Sequence, residues 1–304
     1  MLVGVVGFEP ASPLVPNEAA QFRFVERSVL FGGIRLRLFA FGSLEAVTEP
    51  MAGMLDPIRD PSNTAIQLAA PAGTATATSQ RGTRGSAAVS IDSTVNVPQL
   101  VKNRITITIK RDSRFRRIAA GTWSITLTGK AVGGGGGAYH AYLDAHGNPK
   151  APPTIFTSKV SPVSTVTIPA TATKAISVGS YITKPAASMH TLSKFSSQGP
   201  ALDDRPLPTL CAPGQEITSV KAFDPKDKPI QTFVAKSGTS MAAPHVAGVV
   251  AGMLQVKPAL KADAIAQLLA AQADTPTSPA PNTWGHGRVN ALNAVTAAKT
   301  SAIS

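Results

Sequence analysis

The chain has 304 residues, 43% of them hydrophobic and 15% charged, which excludes a disordered profile and suffices for a substantial core or two domains. A balance of 29 basic to 17 acidic residues gives +12, yet Lys and Arg are scattered without an aromatic-interleaved stripe, so no nucleic-acid partner is expected. Cys211 is the only cysteine, which excludes an internal disulfide, and no apolar run is long enough for a membrane span.

In chain order, residues 1–55 read as an unassigned leader, spurious or disordered, with a composition shifted toward Phe, Arg and Leu, as in Phe22-Arg23-Phe24-Val25-Glu26-Arg27. Met1–Val6 is apolar but lacks the basic start and sustained run of a secretory signal, and Pro10 and Pro13 interrupt it, so localisation stays open. Residues 56–155 read as a β-sandwich. Stretches 64–68, 104–109 and 122–127 alternate apolar with polar side chains between Gly, Pro and Ser turns. Trp123 and Tyr139 are expected as core aromatics.

Residues 156–300 read as strands and helices of an α/β layer. Pro258 separates two helices, near 241–255 and 260–272. The second places Ile265, Leu268 and Leu269 at helical spacing and leaves Lys261, Asp263 and Gln267 to solvent. The first carries Val246, Val249, Val250, Met253 and Leu254 on more than one face and is expected to be buried all round. Pro244 is expected in its first turn, so the helix should start close to Ser240. A serine there lies beside unpaired backbone N–H groups and the positive end of the helix, a setting that stabilises an oxyanion next to the hydroxyl. The local alternative for Ser240 is a helix N-cap. Pro276, Pro279 and Pro281 mark a loop, and Cys211 reads as a buried small hydrophobe.

The run Gly238-Thr239-Ser240-Met241-Ala242-Ala243-Pro244-His245-Val246-Ala247-Gly248 resembles the nucleophile segment of the subtilisin-like serine proteases. Other segments are similar to that family in the same order: Ala175-Ile176-Ser177-Val178-Gly179, Phe195-Ser196-Ser197-Gln198-Gly199-Pro200, Ala212-Pro213-Gly214 and Gly285-His286-Gly287-Arg288-Val289-Asn290-Ala291. The resemblance covers residues 160–297. It implies a partial three-layer α/β domain, a serine endopeptidase acting on polypeptides, and Ser240 as nucleophile with Gly238, Thr239 and Met241 beside the oxyanion. Gly121-Thr122-Trp123 and Gly137-Ala138-Tyr139-His140 are similar to a jelly-roll-like insertion found in some large bacterial members. The family is often secreted.

A serine needs a base, and the base an orienting carboxylate. The family's D-[ST]-G and H-G-T-H motifs are absent, which implies a fragment whose N-terminal half of the protease is missing, or a non-catalytic remnant acting as a binding or assembly module. His245, His286 and His190 read as structural. His146 begins like H-G-T but runs into Pro149, and Asn148, in Ala145-His146-Gly147-Asn148, resembles the family's oxyanion asparagine, a turn residue being the alternative. Asp92 follows an apolar strand as in D-S-G, with Thr94 in place of glycine, and reads more readily as an aspartate at a surface strand end. No zinc or EF-hand spacing occurs, no cofactor is expected, and a calcium site of the family's kind cannot be placed on any residues.

Overall fold

The computed structural model of the chain divides into two compact units, Met1–Pro162 and Val163–Ser304. It describes residues 155–157, 160–222, 232–276 and 280–302, and before them the strands named next.

The first unit contains β1 (Ala19–Glu26), β2 (Ile34–Ala40), β3 (Ile58–Arg59), β4 (Ala65–Ile66), β5 (Ala75–Thr78), β6 (Ala87–Val97), β7 (Lys102–Arg111), β8 (Gly121–Thr128), β9 (Tyr139–Ala145) and β10 (Ile155–Phe156). They form two five-stranded sheets, in the orders β10-β1-β8-β3-β4 and β5-β6-β7-β2-β9. Neighbours run antiparallel throughout. Alternation explains the core: Leu36, Ile107 and Leu143 lie opposite one another and are buried, while Arg35, Arg37, Thr106 and Thr108 stand half-exposed on the other face. In the sheet built on β1, Phe24 lies opposite both Trp123 and Phe156, which are buried.

Two expectations change here. Residues 1–55 are not a separate leader, because β1 and β2 come from them and each is an interior strand of its sheet. Phe22-Arg23-Phe24 and Ile34-Arg35-Leu36-Arg37-Leu38 carry the period-2 pattern of half-buried strands, and their partners lie far along the chain. The unit boundary falls at 162/163 instead of 155/156, since β10 pairs back onto β1.

The second unit is built on a parallel pair, β11 (Val178–Tyr181) and β12 (Leu210–Pro213). The segment 287–289 continues the sheet beyond β12. Cys211 N–H donates to Gly287 O at 2.7 Å, and Val289 N–H donates to Cys211 O at 2.8 Å. A hairpin of β13 (Ile217–Val220) and β14 (Phe233–Lys236) then leads into α1 (Thr239–Val256), followed by α2 (Ala262–Ala271), the short α3 (Pro281–Trp284) and α4 (Ala291–Thr300). Leu210 and Ala212 face the helical side, where they share one core with Ala242, Val246, Val249 and Met253 of α1, Ile265 and Leu268 of α2, and Ala294 and Ala298 of α4. Cys211 faces the other way, against Tyr181, Trp284 and Leu192. Side chains of successive strand residues thus feed two layers, as a three-layer α/β arrangement requires. Cys211 is fully buried as expected, and burial pushes its thiol pKa up to about 12.

α2 buries Ala264, Ile265, Leu268 and Leu269 and exposes Lys261, Asp263 and Gln267, in agreement with its pattern. α1 departs from its own. It buries only Ala242, Val246, Val249 and Met253, while Ala243, Pro244, Ala247, Gly248, Ala251 and Leu254 are exposed. The pattern is apolar all round, but the sheet and α4 cover one side only. Pro244 also lies beyond the first turn, inside the helix, where its missing N–H leaves the Ser240 carbonyl without the usual acceptor role.

Candidate active site

The entry to α1 is held by backbone. Gly238 is the N-cap residue with φ 154° and ψ 159°, a conformation open to glycine. Its N–H donates to Gly214 O at 2.8 Å, and its carbonyl accepts from Met241 N–H at 2.9 Å. The Ser237 hydroxyl accepts from Glu216 N–H at 2.9 Å. Both ties lead to the turn after β12, so the loop before Ser240 is fixed to the end of the parallel sheet. Gly214 has no room for a side chain. A Cβ there would lie 2.3 Å from Ser180 Oγ and 2.9 Å from Gly238 O. Ser180 is fully buried, 2.8 Å from Ser193 Oγ, and its N–H donates to Ser196 Oγ at 3.0 Å.

Ser240 is the second residue of α1 and is exposed. It is not the N-cap: no side chain caps this helix, and the Ser240 hydroxyl has no hydrogen-bond partner among the described residues. Thr239 and Ser240 precede the first repeating helical bonds, so their N–H groups point out of the N-terminus toward the space beside the hydroxyl. Met241 N–H is already taken by Gly238 O, so it flanks the site without serving as an oxyanion donor. The arrangement offers an exposed hydroxyl, free backbone donors and the positive helix end.

Within the second unit, no described histidine bonds to Ser240. His245 turns Nδ1 to the carbonyl of Met241, 2.8 Å away, and so engages its own helix. His190 packs at 6.4 Å from the Tyr181 ring, and His286 is exposed. His146 and Asn148 lie outside the described residues. Asp92 belongs to the first unit, in the middle of β6 and opposite Thr76 and Thr106. It is not at a strand end, because Ser93-Thr94-Val95 continue as good strand formers where a D-S-G turn would break. Among the described residues no three His, Cys, Asp or Glu come together as a metal site, and no helix is long and apolar enough to cross a membrane.

The other ordered motifs are held by bonds of their own. Gly199 N–H donates to Leu207 O and Asn282 O. Arg288 exchanges both backbone bonds with Asp274. Asn290 caps α4 by accepting from Asn293 N–H, and its amide donates to Asp274 at 2.9 Å. Sequence reasoning missed Ser180 and Ser193 as supports. The available signal was the concentration of small residues in the segments around Gly179 and Gly214.

The Subtilase family model (Peptidase_S8) matches residues 116–290, more than half of the chain. Serine protease AprX of Bacillus subtilis (strain 168) is 35% identical over 140 residues, which are 43% of this chain and 32% of that protein. Bacillopeptidase F of the same organism is 39% identical over 113 residues, 35% of this chain and 7% of that protein. The chain therefore spans a third or less of the length of these relatives. The structure of the CspB protease of Clostridium perfringens resembles it in fold, with a TM-score of 0.69 and 23% identity, over 98% of this chain and 57% of that one. With the Gly238–Gly248 run at a helix entry, the other motifs in family order and a family match over more than half its length, the chain belongs to the subtilase family.

Proposed function

We propose that this chain carries the nucleophile of a serine endopeptidase that cleaves polypeptides. Ser240 Oγ bonds to the carbonyl carbon, the oxyanion is held by first-turn N–H groups, and the peptide C–N bond then breaks with release of the amine. Water next hydrolyses the acyl-serine. The base that takes the hydroxyl proton and returns it to the amine, and the carboxylate that orients it, come from a polypeptide segment other than the described residues. No cofactor enters the reaction so written. The observation that carries this reading is the exposed Ser240 hydroxyl at the second position of α1, behind a glycine-only backbone conformation.

In subtilisin, loss of the histidine alone costs on the order of a million-fold in turnover, so the chain by itself is expected to be nearly inert toward casein. Slow labelling by a fluorophosphonate at Ser240, absent in Ser240→Ala, supports the reading. Labelling that persists in Ser240→Ala overturns it. A second reading, a non-catalytic subtilase remnant that binds or assembles, is favoured by the Ser240 hydroxyl, which has no hydrogen-bond partner among the described residues. A Ser240 that no fluorophosphonate modifies, even with a complementing segment present, decides for the remnant.

A further inference from the structure

β2 is an interior strand of its sheet, and it carries two arginines on the face turned away from the core. Residues i and i+2 of a strand point the same way and stand about 6.8 Å apart, so Arg35 and Arg37 are neighbours. Both are half-buried, and neither side chain has a hydrogen bond or an ion pair among the described residues. A guanidinium that has given up part of its water without gaining a partner is uncompensated, and a second one beside it adds repulsion.

The strand register gives their surroundings. Arg37 lies opposite Thr106 of β7 and Tyr142 of β9, and Arg35 lies opposite Thr108 and Asp144. On the same face of β7, Arg104 precedes Thr106 by two residues and the exposed Lys110 follows Thr108 by two. Tyr142 stacks on the buried His140, with ring centroids 6.2 Å apart. One strand further out, Asp92 stands opposite Thr106 and Ser90 opposite Thr108. Four basic positions thus meet two acidic ones here, with Thr106 and Thr108 among them.

We infer that this face of the first unit binds an acidic polypeptide segment in extended form, with carboxylates on alternate residues taken by Arg35 and Arg37. The match is one of period and of shape. An extended ligand repeats every second residue at the same distance as β2, so two of its carboxylates meet the two guanidiniums without bending either strand. Each guanidinium presents a planar fork that fits a carboxylate through two parallel bonds. Hydroxyls such as those of Thr106 and Thr108 supply donors for the ligand's carbonyls. The chain's family acts on polypeptides, which favours this polyanion over a nucleic acid. Binding here needs no active Ser240, so it stands apart from the endopeptidase reading.

The probe is a fluorescein-labelled peptide of six Glu-Ser repeats, titrated onto the full chain at low and at physiological ionic strength and followed by anisotropy. Wild type is expected to bind it, more weakly as salt rises, and to bind a peptide with the same glutamates in one block at least ~3-fold less tightly. Arg37→Gln should weaken binding at least ~10-fold, and Arg37→Lys, which keeps the charge and loses the fork, at least ~2-fold. Asp144→Asn should tighten it, because a competing carboxylate opposite Arg35 is removed. Ser240→Ala should bind as wild type does. Relief of the repulsion should leave the unfolding midpoint of Arg37→Gln unchanged or raised; if the midpoint falls, Arg37→Lys alone decides. No binding at low salt, equal binding by Arg37→Lys, or equal binding of the blocked peptide overturns the proposal. So does tighter binding of a twelve-nucleotide oligothymidylate that Arg37→Gln abolishes, because the occupant is then a nucleic acid.

Discussion

Replacing Gly214 by alanine tests the support beneath the loop that leads into Ser240. The added methyl would stand 2.3 Å from Ser180 Oγ, 3.0 Å from Ser180 Cβ and 2.9 Å from the Gly238 carbonyl. None of these is the free end of a flexible side chain: Ser180 is fully buried and bonded to Ser193, and Gly238 is bonded to Gly214 itself. Forcing a methyl into such a site costs about 1–3 kcal/mol. If Ser180 turns away to admit it, the lost hydroxyl pair adds about 1 kcal/mol, for a total of about 2–4 kcal/mol. Urea unfolding in a Trp123→Phe background reads this directly, because Trp284 is then the only tryptophan and lies in the core beside Cys211. Ser180→Ala removes the nearest atom in the way, so the double variant should lose less than the sum of the single losses by at least ~1 kcal/mol. A Gly214→Ala chain within ~0.5 kcal/mol of wild type, or strict additivity with Ser180→Ala, refutes the assignment of Gly214 and Ser180 as one packed unit.

Ser240→Ala should change stability by less than ~0.5 kcal/mol in the same assay, since an N-cap role would cost about 1 kcal/mol and the hydroxyl caps nothing. Asn290→Ala should cost about 0.5–2 kcal/mol through loss of the α4 cap, with Asn290→Ser recovering part of it. Burial raises the Cys211 thiol from an ordinary value of 9.0 to about 12, so the native state holds its proton where the unfolded state does not. That contribution is complete below pH 9 and fades as pH rises toward 12, at most about 1.4 kcal/mol per pH unit, a slope that Cys211→Ala should lack. Iodoacetamide should modify Cys211 only at the rate of unfolding, as judged by mass spectrometry with and without urea. Gly287→Ala should destabilise the second unit by at least ~2 kcal/mol, because φ is 124° and a Cβ would meet Asp274 O at 2.3 Å.

How much of this was legible varied with how local the cause was. α2 could be read because the spacing of Ile265, Leu268 and Leu269 is set within ten residues. The Ser240 entry could be read because Gly238 and the helix start lie in one short run. β1 and β2 were missed although Phe22-Arg23-Phe24 alternates, since β8 and β10, which make that alternation useful, come more than ninety residues later. The uncovered side of α1 could not be read at all. Its residues report what the helix is suited to touch, and what touches it depends on neighbours encoded elsewhere. Asp92 was misplaced because an apolar strand before an acid looks the same whether the strand stops or continues through Ser93-Thr94-Val95.

The segment 287–289 lies beside β12, although β12 is made long before it. While the chain is being synthesised, β12 therefore has an unsatisfied edge until residues 287–289 have left the ribosome, and an open edge is a template for pairing with other nascent chains. The Gly285–Ala291 run is thus a timing element: a chain released before it is made carries a sticky edge at β12.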